Sequence, residues 1–391
     1  MEIDKQNPLQ VKDSLLIDAL KKCTEYSNTV EQNIGLVKGR CGLILCWLFY
    51  YFRTKEQKYL NIAVYILNAQ LLYWKSDFTL GSGMAGYVWV TCIMKKMKCA
   101  PANIDELLSK IEPLMRTECI LMIKNNNFDY FSGSSGLIFY YLSKENFSND
   151  DKSIITMYID ALANNQEMES SFYYKNEGKE NQLILNLGVP HGITGIILIL
   201  LLIKEKNQPD FKIDSLIHHF IEVLLRNVMD KSSHFYFPSY VVEKDRSYSP
   251  SILAWCYGDL TSCYAIFKAG KLLDNSTYLN FGLNALIKTT YRNDIHADSF
   301  SLCHGFASLI CVYNELFAMT GNVRFRDTSN KWKNKAFSLF KKEYKTNNLN
   351  LNNSKSFIED SSLFIGFPGF FLPLFFSKDR MLNEWQKCLL L

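Results

Sequence analysis

A glycine motif recurs seven times along the 391 residues, each time at the head of an apolar run. The copies are Gly39-Arg40-Cys41-Gly42, Gly83-Met84-Ala85-Gly86, Gly133-Ser134-Ser135-Gly136, Gly192-Ile193-Thr194-Gly195, Gly258-Asp259-Leu260-Thr261, Gly305-Phe306-Ala307-Ser308 and Gly366-Phe367-Pro368-Gly369. First glycines fall 44, 50, 59, 66, 47 and 61 residues apart. That is room for two helices and two connections per unit, longer than the common helical-hairpin repeats. Apolar residues follow with helical spacing, as in residues 137–142 and 196–203. A small residue at each end of the four-residue motif clears one face where a helix begins, so that crowded backbones can approach, and the first glycine supplies a free turn.

Residues 60–67 and 215–225, between motifs, also have helical patterning and read as outer helices. Seven inner and seven outer helices predict an all-α fold, an α/α toroid closed on itself so that no apolar end is left bare. The repeats span almost the whole chain, so residues 1–391 are expected to form a single architecture. Two connections depart from the helical pattern. Residues 172–187 read as a β-hairpin, and the aromatic, proline-bounded residues 234–250 read as an extended excursion. Each directly precedes a motif that carries chemistry, which makes both candidate walls of a substrate groove.

Composition supports a large core, with 48% hydrophobic and 21% charged residues. The net charge of +4 is spread with both signs and no basic stripe, which argues against nucleic acid as a partner. The apolar runs 41–52 and 193–203 are too short to span a bilayer, and residues 1–10 lack a signal pattern. The expectation is a cytoplasmic chain without an integral membrane segment. Its 11 cysteines are then expected as thiols, most of them small core residues, among them Cys41, Cys46, Cys92, Cys119 and Cys311.

Three consecutive motifs carry His191, Cys256, and Cys303 with His304 just before the glycine. Repeats place equivalent positions at equivalent points in space, so these side chains converge. Cys256, Cys303 and His304 are the donor set of a catalytic Zn²⁺ site, with three protein ligands and a fourth position open. The 47-residue gap between Cys256 and Cys303 fits no zinc finger or ribbon and makes sense only through the repeat. Each ligand is expected at the start of an inner helix, where the helix dipole favours a thiolate. His191 is either a fourth ligand or, more usefully beside an open site, a proton-transfer group. Asp129, four residues before Gly133, can orient such a base, though an aspartate there serves equally well as a turn or cap residue. His218 and His219 fall on an outer helix, and His234 and His296 in connections, with nothing to mark them as ligands.

The strings HGITG, WCYGD and CHGFA, in this order within seven glycine repeats, resemble the lanthionine synthetase C-like family, the lanthipeptide cyclases. The resemblance implies an α/α toroid with one Zn²⁺ on its axis, bound by Cys256, Cys303 and His304. It implies thioether formation, in which a peptide cysteine thiolate adds to a dehydroalanine or dehydrobutyrine of the same peptide. His191 then matches the family's proton-transferring histidine, Asp129 its motif aspartate, and Tyr257 the tyrosine beside the first zinc cysteine. Implied partners are a dehydrated precursor peptide, a lanthipeptide dehydratase and an exporter, in a biosynthetic complex at the membrane periphery. One position departs: where the family usually carries an arginine, four residues before the first zinc cysteine, this chain has Ile252, and Arg246 is the nearest upstream substitute. Alternatives of other classes are a non-catalytic toroid scaffold, or a thiol transfer of the glutathione or prenyl type.

Overall fold

The computed structural model describes residues 8–28, 33–74, 76–165, 173–175, 183–206, 211–229, 234–294, 299–346, 357–375 and 381–391. Its helices are α1 (Pro8–Ser27), α2 (Cys41–Thr54), α3 (Gln57–Gln70), α4 (Met84–Lys96), α5 (Ile104–Lys124), α6 (Ser134–Ser143), α7 (Asn149–Asn165), α8 (Ile193–Lys206), α9 (Phe211–Leu225), α10 (Asp259–Leu272), α11 (Ser276–Thr289), α12 (Phe306–Thr320), α13 (Val323–Thr346) and α14 (Phe367–Phe371). The even-numbered helices begin at the motif glycines and are buried over most of their circumference in their first turns, as inner elements must be. The odd-numbered helices are outer ones. α9, for example, buries Ile213, Leu216, Ile217, Phe220, Ile221, Val223 and Leu224 while exposing Lys212, Ser215 and Glu222.

The architecture is the expected all-α toroid. α14 packs on α2, and α1 packs on both, so the first helix serves as outer partner to the last inner one. The turns before the inner helices close a second circuit, through backbone hydrogen bonds that all run in one direction. Val37 N donates to Gly81 O at 2.7 Å, Gly81 N to Phe131 O at 2.9 Å, Tyr130 N to Pro190 O at 2.9 Å and Val189 N to Cys256 O at 2.9 Å. Cys256 N donates to Cys303 O at 3.1 Å, Cys303 N to Phe364 O at 2.9 Å, and Phe364 N to Leu36 O at 3.2 Å. Residues that sit in buried irregular turns thus satisfy their polar groups by pairing turn to turn.

The motif's second small residue has a specific cause. A Cβ at Gly86, Gly136, Gly195 or Gly369 would collide with the carbonyl oxygen six residues earlier. Thr261 replaces that glycine in the fifth unit and instead donates its hydroxyl to the equivalent carbonyl, Trp255 O, at 2.8 Å.

Both non-helical connections form strands, β1 (Tyr173–Lys175), β2 (Leu183–Asn186), β3 (Tyr240–Val242) and β4 (Tyr248–Ser249). The hairpin and the extended excursion, expected as separate features, join in one antiparallel sheet of order β1-β2-β3-β4, with Leu185 opposite Val241. β2 leads into the turn of His191, and β4 into that of Cys256.

Residues 381–389 form a 3₁₀ segment inside the ring. Its Glu384 meets Lys96 at the far end of α4, and Tyr130 Oη and Trp255 Nε1 reach down from their turns to Cys388 O at 2.8 Å and Leu389 O at 2.9 Å. Among the described residues no helix is long and apolar enough to cross a membrane. Cys41, Cys46, Cys119 and Cys311 are buried free thiols and Cys92 is half-buried, as read from the sequence.

Candidate metal centre

Cys256 sits in the turn before α10, and Cys303 and His304 in the turn before α12. The Cys256 N to Cys303 O hydrogen bond clamps the two turns edge to edge. As a result the two Sγ atoms and a His304 ring nitrogen all lie within 4.8 Å of one another. Ligands of a tetrahedral Zn²⁺, at about 2.0–2.3 Å from the ion, stand roughly 3.5–3.8 Å apart, so a small contraction of this cluster accommodates the metal. Both cysteines are buried and His304 is half-buried. Two thiols and an imidazole in adjoining turns fit the ion in chemistry and in spacing. The cluster has three members; His191 is not one of them.

The ligands stand directly before the inner helices α10 and α12. They precede the first helical turn by two or three residues, beyond the reach of most of the dipole's effect. The thiolate instead draws on its neighbours. A hydrogen bond from Cys303 brings the Cys256 thiol down from 9.0 to about 6; burial opposes the shift, and His304 adds to it. The same contact pushes the Cys303 thiol well up, so the pair readily gives one proton and keeps the other.

His191 and Asp129 meet across adjacent turns, with Nδ1 of His191 2.6 Å from Asp129 Oδ2. Asp129 Oδ1 accepts from the backbone N–H of Phe131 at 2.8 Å and of Ser132 at 2.7 Å. The histidine is exposed, and its ring stands edge-on to Phe131 with centroids 6.0 Å apart. Phe131, Trp255 and Phe364, from the third, fifth and seventh turns, pack together with centroids 4.7–5.9 Å apart as a buried aromatic floor at the centre of the ring. The Tyr257 ring lies against Gly188, where a Cβ would overlap it, and its hydroxyl accepts from Asn186 Nδ2 at 3.3 Å. Burial raises the Tyr257 pKa.

The sequence reading missed the residues that brace these turns. Asp77, Asn127, Asn186, Ser299 and Asp360 stand six residues before their motif glycines, and each accepts a hydrogen bond from the backbone N–H two residues on. That signal was present in the repeat register. The fifth turn has Ile252 at this place, and its Gly258 takes φ +89°, a left-handed value that favours glycine. Asp259, next in sequence, is buried and braces the turn in another way. Its Oδ1 accepts from Tyr236 N and Phe237 N, both at 2.8 Å, and its Oδ2 pairs with Arg292. Arg292 also holds Asp294, whose carbonyl accepts from Leu253 N at 2.9 Å. Arg246 donates to Asn227 Oδ1 at 2.6 Å. His218 pairs with Tyr278 Oη at 3.1 Å on the outer layer, and His296 lies outside the described residues.

No curated protein matches the chain by sequence. Among solved structures, a nisin cyclase superposes with a TM-score of 0.80 at 19% identity, covering 97% of each chain. A cellobiose 2-epimerase from Bacillus thermoamylovorans B4167 gives only 0.39 at 9% identity, covering 89% of this chain and 87% of its own, too distant to inform the fold. The lanthionine synthetase C-like protein family matches residues 30–390. With that match spanning all seven motifs, the chain belongs to the lanthionine synthetase C-like proteins.

Proposed function

We propose that this protein is a zinc-dependent lanthipeptide cyclase that closes thioether rings in a dehydrated peptide. The observation that carries the reading is the convergence of Cys256, Cys303 and His304, with His191 and Asp129 paired on the neighbouring turns. Zn²⁺ held by those three residues supplies a lowered pKa for a substrate thiol at its open position. The peptide's sulfur adds to the β-carbon of a dehydroalanine or dehydrobutyrine in the same chain. The C–S bond forms as the alkene pair moves toward the α-carbon, which then takes a proton. His191 moves that proton, its ring fixed through Nδ1 by Asp129. Tyr257, anchored by Asn186, orients the peptide at the mouth.

The substrate's alkene comes from removal of water from Ser or Thr, so a dehydratase acts first. An exporter and a cytoplasmic setting at the membrane periphery complete the proposed context. The test is incubation of the zinc-bound protein with a dehydrated, cysteine-containing peptide. Ring closure removes free thiol while leaving the peptide's mass unchanged. Persistence of every thiol, with zinc bound, would refute the reading.

A further inference from the structure

The residue just before the first glycine of each motif forms a second ring, above the hydrogen-bonded circuit. In order it reads Lys38, Ser82, Ser132, His191, Tyr257, His304 and Ile365, all exposed or half-buried. Three of these seven positions hold side chains of the proposed site, so the ring is the rim that a peptide crosses to reach it. Ile365 is the only aliphatic member, and it is 36% exposed among polar and charged neighbours. Its turn abuts that of the metal ligands on the side away from Cys256, because Cys303 N donates to Phe364 O. On the rim, Ile365 therefore follows His304, one of the three residues that would hold the metal. Ser82 and Ser132 are small, which keeps the opposite arc of the rim low.

From this geometry we infer that Ile365 determines specificity, contacting an apolar residue of the peptide next to the reacting cysteine. The inference rests on the cyclase reading and extends it to the substrate. The aromatic floor of Phe131, Trp255 and Phe364 is buried, whereas Ile365, next to Phe364 in sequence, presents apolar surface to solvent. Covering an aliphatic side chain with an apolar partner is favourable, whereas setting a carboxylate against it strips water from the charge without a partner.

The test measures calorimetric binding of the zinc-bound protein to short peptides, each with one cysteine flanked on both sides by Leu, Ser or Asp. The wild type is expected to bind the Leu peptide about tenfold more tightly than the Asp peptide, the size expected for one modest apolar contact. Ile365→Ser, which removes the apolar surface without adding charge, should lose most of that preference and Ile365→Val should keep it, with zinc content unchanged in both. Equal binding of all three peptides, no binding of any, or a preference that is undiminished in Ile365→Ser would overturn the inference. The thiol-loss assay reports separately on the cyclase reading. Ring closure without a Leu preference rejects only the role of Ile365; a Leu preference without ring closure rejects only the chemistry.

Discussion

Asp129 divides its carboxylate between two tasks: Oδ1 caps the backbone of its own turn, and Oδ2 holds His191. One side chain thus braces its own turn and reaches the histidine of the next. Asp129→Asn keeps a turn acceptor but weakens the grip on the imidazole. It is expected to lower turnover at least tenfold, in line with loss of general acid–base assistance, with zinc content unchanged. His191→Ala should likewise keep the metal and lose turnover, whereas Cys303→Ala should lose the metal. An empty site in His191→Ala would make that histidine a ligand. In metal-free protein the Cys256 thiol is drawn down to about 6, chiefly by Cys303. A folded pKa below the unfolded one means that this thiolate's stabilisation is complete above roughly pH 9 and is lost as pH falls through about 6. Thiolate absorbance of the metal-free protein should titrate with a midpoint near 6 and vanish in Cys256→Ala; a midpoint near 9.0 would contradict the geometry.

At the scale of elements, the inner helices were legible because glycine pairs and apolar runs recur together, and the convergence of Cys256 with Cys303 followed from that register. The joining of the two hairpins was not legible. Leu185 pairs with Val241 across more than fifty residues, and neither strand is patterned to name its partner. The bracing of the Cys256 turn by Asp259 and Arg292 was hidden for the same reason. Two glycines separate close approach from turn conformation. Gly195→Ala drives a methyl group into Val189 O within the ring and should destabilise by about 3 kcal/mol. Gly321 has φ +67° with nothing within 4 Å, so Gly321→Ala should cost only about 1 kcal/mol of backbone strain. Denaturant unfolding of the two variants checks the order, and equal losses would contradict the close-approach explanation.

For the whole molecule, closure matters more than any single unit. The turn circuit and α1 against α14 close the ring, and residues 381–389 inside it tie the third and fifth turns together. Nothing in the spacing of residues 381–391 announced that position, because an interior location is a property of the closed ring rather than of local sequence. Trp255→Phe keeps an aromatic ring in the floor but removes the donor to buried Leu389 O. It should cost about 1–3 kcal/mol in unfolding free energy. An unchanged midpoint would remove residues 381–389 from the support of the floor. The metal is the claim on which the proposed chemistry stands, and its most direct measurement is zinc per chain in protein purified without added metal, for the wild type and Cys256→Ala. About one zinc in the wild type and none in the variant is the expected result. A folded wild type without zinc, or a Cys256→Ala protein that keeps it, would contradict the assignment.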